Sequence, residues 1–122
     1  MMKYYVHGFA WYRDKNTDGT FGYKQFEGFE LFVEAHDEKQ AKELAIELFD
    51  NQCKRYKNKE YFKPSVADID EISEAIDKPF ALVVACSNCI LERYDTAEEA
   101  VKHATQNNIV VNLNRQENKK YL

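Results

Sequence analysis

Asp37-x-x-Gln40-Ala41-x-x-x-Ala45 and Thr96-x-x-Glu99-Ala100-x-x-x-Ala104 match position for position, and each follows a stretch that reads as a β-hairpin. In both, an oxygen-bearing side chain is set to cap the free N–H groups of a helix start. A Gln or Glu three residues later reaches back towards the same turn. The two alanines fall four apart, on one helical face. The pattern predicts two strand–strand–helix units, about 1–76 and about 77–114, and a polar tail at 115–122. All of this fits within a single domain of 122 residues. The likeness is either a duplication or shared helix-start chemistry, which recurs in unrelated folds.

Residues 4–12 read as an aromatic-rich strand, Asp18-Gly19 marks a turn, and 21–34 return as a second strand with a kink or bulge at Gly28. After Asp37, the residues Ala41, Leu44, Ala45, Leu48, Phe49, Cys53 and Tyr56 keep a helical apolar rhythm, which predicts a helix to about Lys57. Val66, Ile69, Ile72 and Ile76 fit helical spacing, yet a strand followed by a turn would complete the first unit. Residues 80–86 read as a buried strand, Ser87-Asn88 as a two-residue hairpin and 89–94 as its return. From Thr96 a shorter helix turns Ala97, Ala100, Val101 and Ala104 inward. Asn107-Asn108 are set to stop it in a left-handed conformation, ahead of a last strand at 109–113 and a frayed end. The order ββα(β)ββαβ makes this an α+β chain. Its economical form is a two-layer sandwich, with both helices across one face of an antiparallel sheet or of two sheets.

Composition narrows the function classes. The formal net charge of −4 disfavours a nonspecific grip on phosphate backbones. The longest apolar run, 80–86, is far too short for a membrane-spanning helix, and residues 1–7 hold no apolar leader. A cytoplasmic protein without a membrane partner is the expectation. Three cysteines, an odd number, do not make a secreted disulfide framework.

Catalytic signatures are missing. Cys86-Ser-Asn-Cys89 offers two thiols to a metal, but the structural zinc sites that such a pair serves need two further ligands, and the chain has no second pair. His7, His36 and His103 belong to no recognisable nucleophile–base arrangement, and the four glycines match no phosphate loop. The carboxylates are scattered. The expectation is a non-enzymatic protein with no cofactor, no bound metal and no evident small-molecule substrate.

Binding is the remaining class. Tyr5, His7, Phe9 and Trp11 share one face of the first strand, while Tyr4, Val6, Ala10 and Tyr12 share the other. Two helices on one side leave one of these faces uncovered. Tyr5, Phe9 and Trp11 are therefore the candidate partner-binding residues, with the acidic block Asp68, Asp70, Glu71 and Glu74 as a second contact. The partner is another protein or a second copy of this chain, making a homodimer. The alternative is single-stranded nucleic acid held by the basic, aromatic-dotted stretch Lys54, Arg55, Lys57, Lys59, Tyr61 and Lys63.

The passage Phe32-Val-Glu-Ala-His-Asp-Glu-Lys-Gln-Ala41 resembles the short strand–helix proteins of plasmids and phages typified by the DpnD/PcfM-like group. The resemblance covers at most the first half of the chain and transfers no residue role. A lysine- and asparagine-rich, glycine-poor composition also suits an AT-rich bacterium or its phage. Small acidic phage proteins often block a host defence complex, as anti-CRISPR proteins do. By that analogy the expectation is an inhibitor carried by a phage or mobile element.

Overall fold

The structure, a computed structural model, describes residues 1–121. The chain is α+β and divides into two compact units, Met1–Glu74 and Ala75–Leu122, each with its own antiparallel sheet.

In the first unit, β1 (Met2–Asp14) is the hub. It pairs with β2 (Gln25–Ala35) from Met2↔Ala35 to Tyr12↔Gln25 without a register break. On its other side it takes β4 (Ile69–Glu74) along residues 4–8 and β3 (Lys59–Tyr61) along residues 12–14. The Asp18-Gly19 turn forms as expected: Gly19 has φ +85°, and the Asp18 carboxylate accepts from the Thr20 N–H and hydroxyl. No kink forms at Gly28. The irregularity falls instead between His7 and Gly8, where β4 slips by one residue. Gly8 is needed there, because a Cβ would lie 2.9 Å from the Asp68 carbonyl oxygen and equally close to Ile69 and Phe29.

Helix α1 (Glu38–Cys53) begins as its signature requires. The Asp37 carboxylate accepts from Gln40 N–H at 2.8 Å, and the Gln40 side chain reaches back to His36 N–H at 2.6 Å. It ends four residues short of the expected Lys57. Arg55 and Tyr56 donate to the carbonyls three residues back, which tightens and closes the last turn. The buried arc is Ala41, Ala45, Ile46, Phe49 and Cys53, while Leu44 and Leu48 are 38% and 44% exposed. The expected stripe is thus rotated towards Ile46. Ala41 and Ala45 let the helix settle directly on Tyr4, Val6, Val33 and Ala35. Further along, Phe49 stacks on Phe29 with ring centroids 4.2 Å apart, packed with Ala10 and Cys53.

Two segments between α1 and the second unit differ from expectation. The basic connector contributes the short strand β3, which is too brief to show a period. The ambiguous stretch divides into one 3-10 turn, Val66–Asp68, and the strand β4. The strand reading holds from Ile69 onward.

The second unit repeats the plan in small. β5 (Phe80–Val84) lies between β6 (Ile90–Tyr94) and β7 (Asn108–Asn112), both antiparallel to it. In each unit, therefore, the first strand is central, its hairpin partner flanks it, and a later strand closes the other side. Helix α2 (Ala97–His103) starts with the Thr96 hydroxyl accepting from Glu99 N–H, but its seven residues bury only Ala100. Val101 is exposed, against expectation. The helix ends at Ala104, whose backbone is extended, so Asn107-Asn108 do not stop it; the Asn108 side chain accepts from Thr105 instead. The β5–β6 connection spans 85–89, longer than a two-residue hairpin, with Asn88 at φ 59°. The end expected to fray is structured as far as Tyr121, and Leu122 lies outside the described residues. Leu113 and Asn114 are buried, the Asn114 side-chain oxygen accepts from Ile76 N–H at 2.9 Å, and Gln116–Tyr121 forms a 3-10 helix. Among the described residues no helix is long and apolar enough to cross a membrane.

Candidate functional site: an aromatic sheet face

Strand alternation sends Val6, Ala10 and Phe29 towards α1 and Phe9, Trp11 and Arg13 to the opposite face. The register sets Trp11 across from Phe26, and Phe9 across from Gly28. Phe26 meets both rings: its centroid is 5.8 Å from Phe9 at 75° and 5.2 Å from Trp11 at 60°. Phe62 joins from the residue after β3, where its N–H donates to the Trp11 carbonyl oxygen at 2.9 Å. Lys24 Nζ ties the group together, 5.2 Å from the Trp11 centroid and 4.9 Å from that of Phe62. The Arg13 guanidinium lies 3.9 Å from the Phe21 ring and pairs with Glu60 at 3.2 Å.

These rings are open to solvent. Phe9 is 36% exposed, Trp11 42%, Phe26 60% and Phe62 37%. Isolated exposed aromatics need no explanation, but rings in mutual contact make a patch of the kind that marks an interaction site.

Tyr5 does not belong to this patch. It is fully buried, donates its hydroxyl to Glu30 at 2.7 Å and packs against Phe32. As a partner-binding residue it is corrected to a core residue, because its hydroxyl finds a carboxylate in the same sheet and the ring can be enclosed. His7 is also buried, with Nδ1 2.5 Å from an Asp70 carboxylate oxygen and its ring edge-on to Phe9.

The acidic block is largely engaged inside the unit. Asp68 accepts from Ser65 N–H and hydroxyl, Asp70 holds His7, and Glu71 and Glu74 lie on β4 across from His7 and Tyr4. This block is therefore a run in sequence more than a free surface patch. Inserting β4 into the sheet is what uses it.

The basic stretch is partly neutralised as well. Lys54 pairs with Asp50, Lys63 with Glu47, and Tyr61 donates to Glu27 at 2.5 Å while its ring meets Phe49 edge-on. Arg55 is exposed. Lys57 and Lys59, with Lys15 and Lys54 and the carboxylates of Asp50 and Glu60, line a concavity of about 400 Å³ that also exposes Tyr56 and Tyr61.

Cys53 borders the same concavity from the core side, where burial pushes its thiol up from 9.0 to about 11. Burial and the Glu27 hydrogen bond also raise the Tyr61 hydroxyl well above its ordinary range. A raised folded-state value for an acid favours the folded protein below the unfolded value, and that advantage is lost as pH climbs through the folded one. Stability therefore falls from about pH 9 upward, read as a lower urea midpoint at pH 10 than at pH 7. The exposed Cys86 and Cys89 alkylate at pH 8, whereas Cys53 reacts only on unfolding. Equal labelling of all three in the native protein would contradict this.

Among the described residues, no three His, Cys, Asp or Glu side chains gather into a possible metal site, at Cys86 and Cys89 or elsewhere. His103 stacks on Tyr94 at 5.2 Å, and His36 is exposed beside α1.

The residues that sequence reasoning missed are Phe26, Phe62 and Lys24. Phe26 was out of reach, since the bridge beside the Asp18-Gly19 turn, Lys15↔Phe21, is one residue out of step with Trp11↔Phe26 and would by itself set Gln25 opposite Trp11. Phe62 was too, because the strand that delivers it has three residues. No protein-family model matches the chain, and neither a curated protein nor a solved structure matches it.

Proposed function

We propose that this is a non-enzymatic binding protein that holds another protein on the face formed by Phe9, Trp11, Phe26 and Phe62. The observation carrying this reading is the contact of Phe26 with both Phe9 and Trp11, with Phe62 linked to Trp11 through Lys24, each ring more than a third exposed, on the side of the sheet opposite α1. Large, stiff aromatics bury much area at little entropic cost and dominate interface energetics. Lys24 sets a cationic edge beside Trp11 and Phe62, which suits a partner with a carboxylate at that point, while Arg13 is already paired with Glu60. A host defence complex is one such partner, and an inhibitor encoded by a phage or mobile element would act through this kind of face. The reading puts the protein in the cytoplasm, where its three free cysteines stay reduced.

A second reading has its own observation, the concavity lined by Lys15, Lys54, Lys57 and Lys59 with two tyrosines, where four cations outnumber the carboxylates of Asp50 and Glu60. Single-stranded nucleic acid would bind there with strong salt dependence. A gel shift at low salt separates the two. Retarded single strands, lost on Lys57→Ala with Lys59→Ala, support nucleic acid; no retardation removes it. The protein-binding reading is tested by comparing wild type with Trp11→Ala and Phe26→Ala for capture of the same partner, with light scattering on the pure protein. Capture lost on substitution supports it. Capture unchanged, or a tight dimer that covers the rings, overturns it.

A further inference from the structure

We infer that the outer edge of β2 accepts an extended, basic segment of the partner protein as an added strand. This rests on the protein-binding reading above and says how the partner is gripped beside the rings.

β1 has neighbours on both sides, but among the described residues β2 pairs only with β1 and ends the sheet. Alternate residues of β2 therefore direct N–H and C=O groups away from the sheet, a ready template for another strand. Natural edges are blunted by shortness, proline, a bulge or charged side chains, lysine above all. Of these β2 has only charge, as three glutamates. It runs 11 residues, contains no proline and no cation, and keeps an unbroken register with β1. Gly28 is exposed near its middle, where it adds no side chain of its own beside the edge.

The charge of β2 selects the occupant. Glu27, Glu30 and Glu34 are its only charged residues. Two copies joined along this edge would bring six carboxylates and no β2 cation into one ribbon, so a second copy is disfavoured. Glu30 and Glu34 lie on the open face, while Glu27 faces α1 and accepts from Tyr61, so a strand with Lys or Arg at alternate positions supplies the opposite charge on the open face. Its cations also find rings, since Phe26 and Phe32 lie on the open face at 60% and 37% exposure. Phe32 already takes Lys3 Nζ, 5.4 Å from its centroid. Main-chain hydrogen bonds would give the affinity and these side chains the selectivity, as in other strand-addition complexes.

The probe is a nine-residue peptide of alternating Lys and Val, acetylated and amidated, followed by amide NMR and hydrogen exchange on the full chain. Two control peptides accompany it. One has the two central valines replaced by proline, which keeps the charge but cannot form a ladder; the other carries Glu in place of Lys. The expected result is shifts concentrated at residues 25–35 and slowed exchange at alternate amides of β2, with the Lys-Val peptide alone. Glu34→Lys should weaken that peptide and admit the Glu-Val one. Equal binding of the proline peptide would reduce the effect to bulk charge and overturn the proposal, as would shifts centred elsewhere. The outcomes separate cleanly from the ring face. Partner loss on Trp11→Ala without peptide addition overturns the edge alone. Peptide addition with partner capture indifferent to Trp11→Ala overturns the ring-face reading on which the partner assignment rests.

Discussion

Phe49→Ala should cost the first unit about 3–5 kcal/mol, a large share of the stability of a domain this size. Phe49 is buried, stacked 4.2 Å from Phe29 and edge-on to Tyr61. Around it stand Ala10 on the central strand and Cys53 at the helix end, neither able to swing into the space. The void would persist, so the lost transfer energy and the cavity cost add. Leu48→Ala, one residue earlier on the same helix, is the matched control. Leu48 is 44% exposed, and its removal should cost no more than about 1 kcal/mol. Urea titrations followed by far-UV circular dichroism measure both. Equal losses would mean that the helix presents the Leu44–Leu48 stripe to the sheet after all.

The double substitution Trp11→Ala with Phe26→Ala should do the reverse. Partner affinity should fall by about 30-fold or more, the loss typical of central aromatic anchors. Folding should suffer only modestly, by about 1–2 kcal/mol, because both rings already face water. Trp11→Phe should restore much of the binding. The contact geometry explains why the double variant loses most: Phe26 touches Phe9 and Trp11 at once, so Trp11→Ala alone leaves the Phe9–Phe26 contact in place. Collapse of the fold in the double variant would identify the rings as core.

Local chemistry made much of this architecture legible. Asp37 and Thr96 cap their helices as their spacing required, and Asp18-Gly19 closes the first hairpin. These signals work because capping and positive-φ turns depend on a few neighbouring residues. Errors arose where tertiary contacts decide. The rotation of α1 depends on which face lets alanine meet the sheet most closely, so Ile46 went in and Leu44 and Leu48 stayed out. The bulge moved from Gly28 to His7/Gly8 because β4 arrives from far along the sequence, Ile69 pairing with Gly8, beyond any local pattern. In the candidate site, alternation along β1 correctly separated Phe9 and Trp11 from Tyr4 and Val6. It could not separate Tyr5 from Phe9, since both lie on one face and only a long-range partner, Glu30, distinguishes them.

Trp11 is the chain's single tryptophan, so its fluorescence reports on the ring face without labelling. Acrylamide quenching of the purified native protein, at a concentration where light scattering gives a monomer, tests the exposed-face account most directly. Quenching should approach that of the urea-unfolded chain, with emission near that of a solvated indole. A blue-shifted emission that resists acrylamide in the monomer would mean that Trp11 is enclosed by its own chain, and no aromatic face would be on offer.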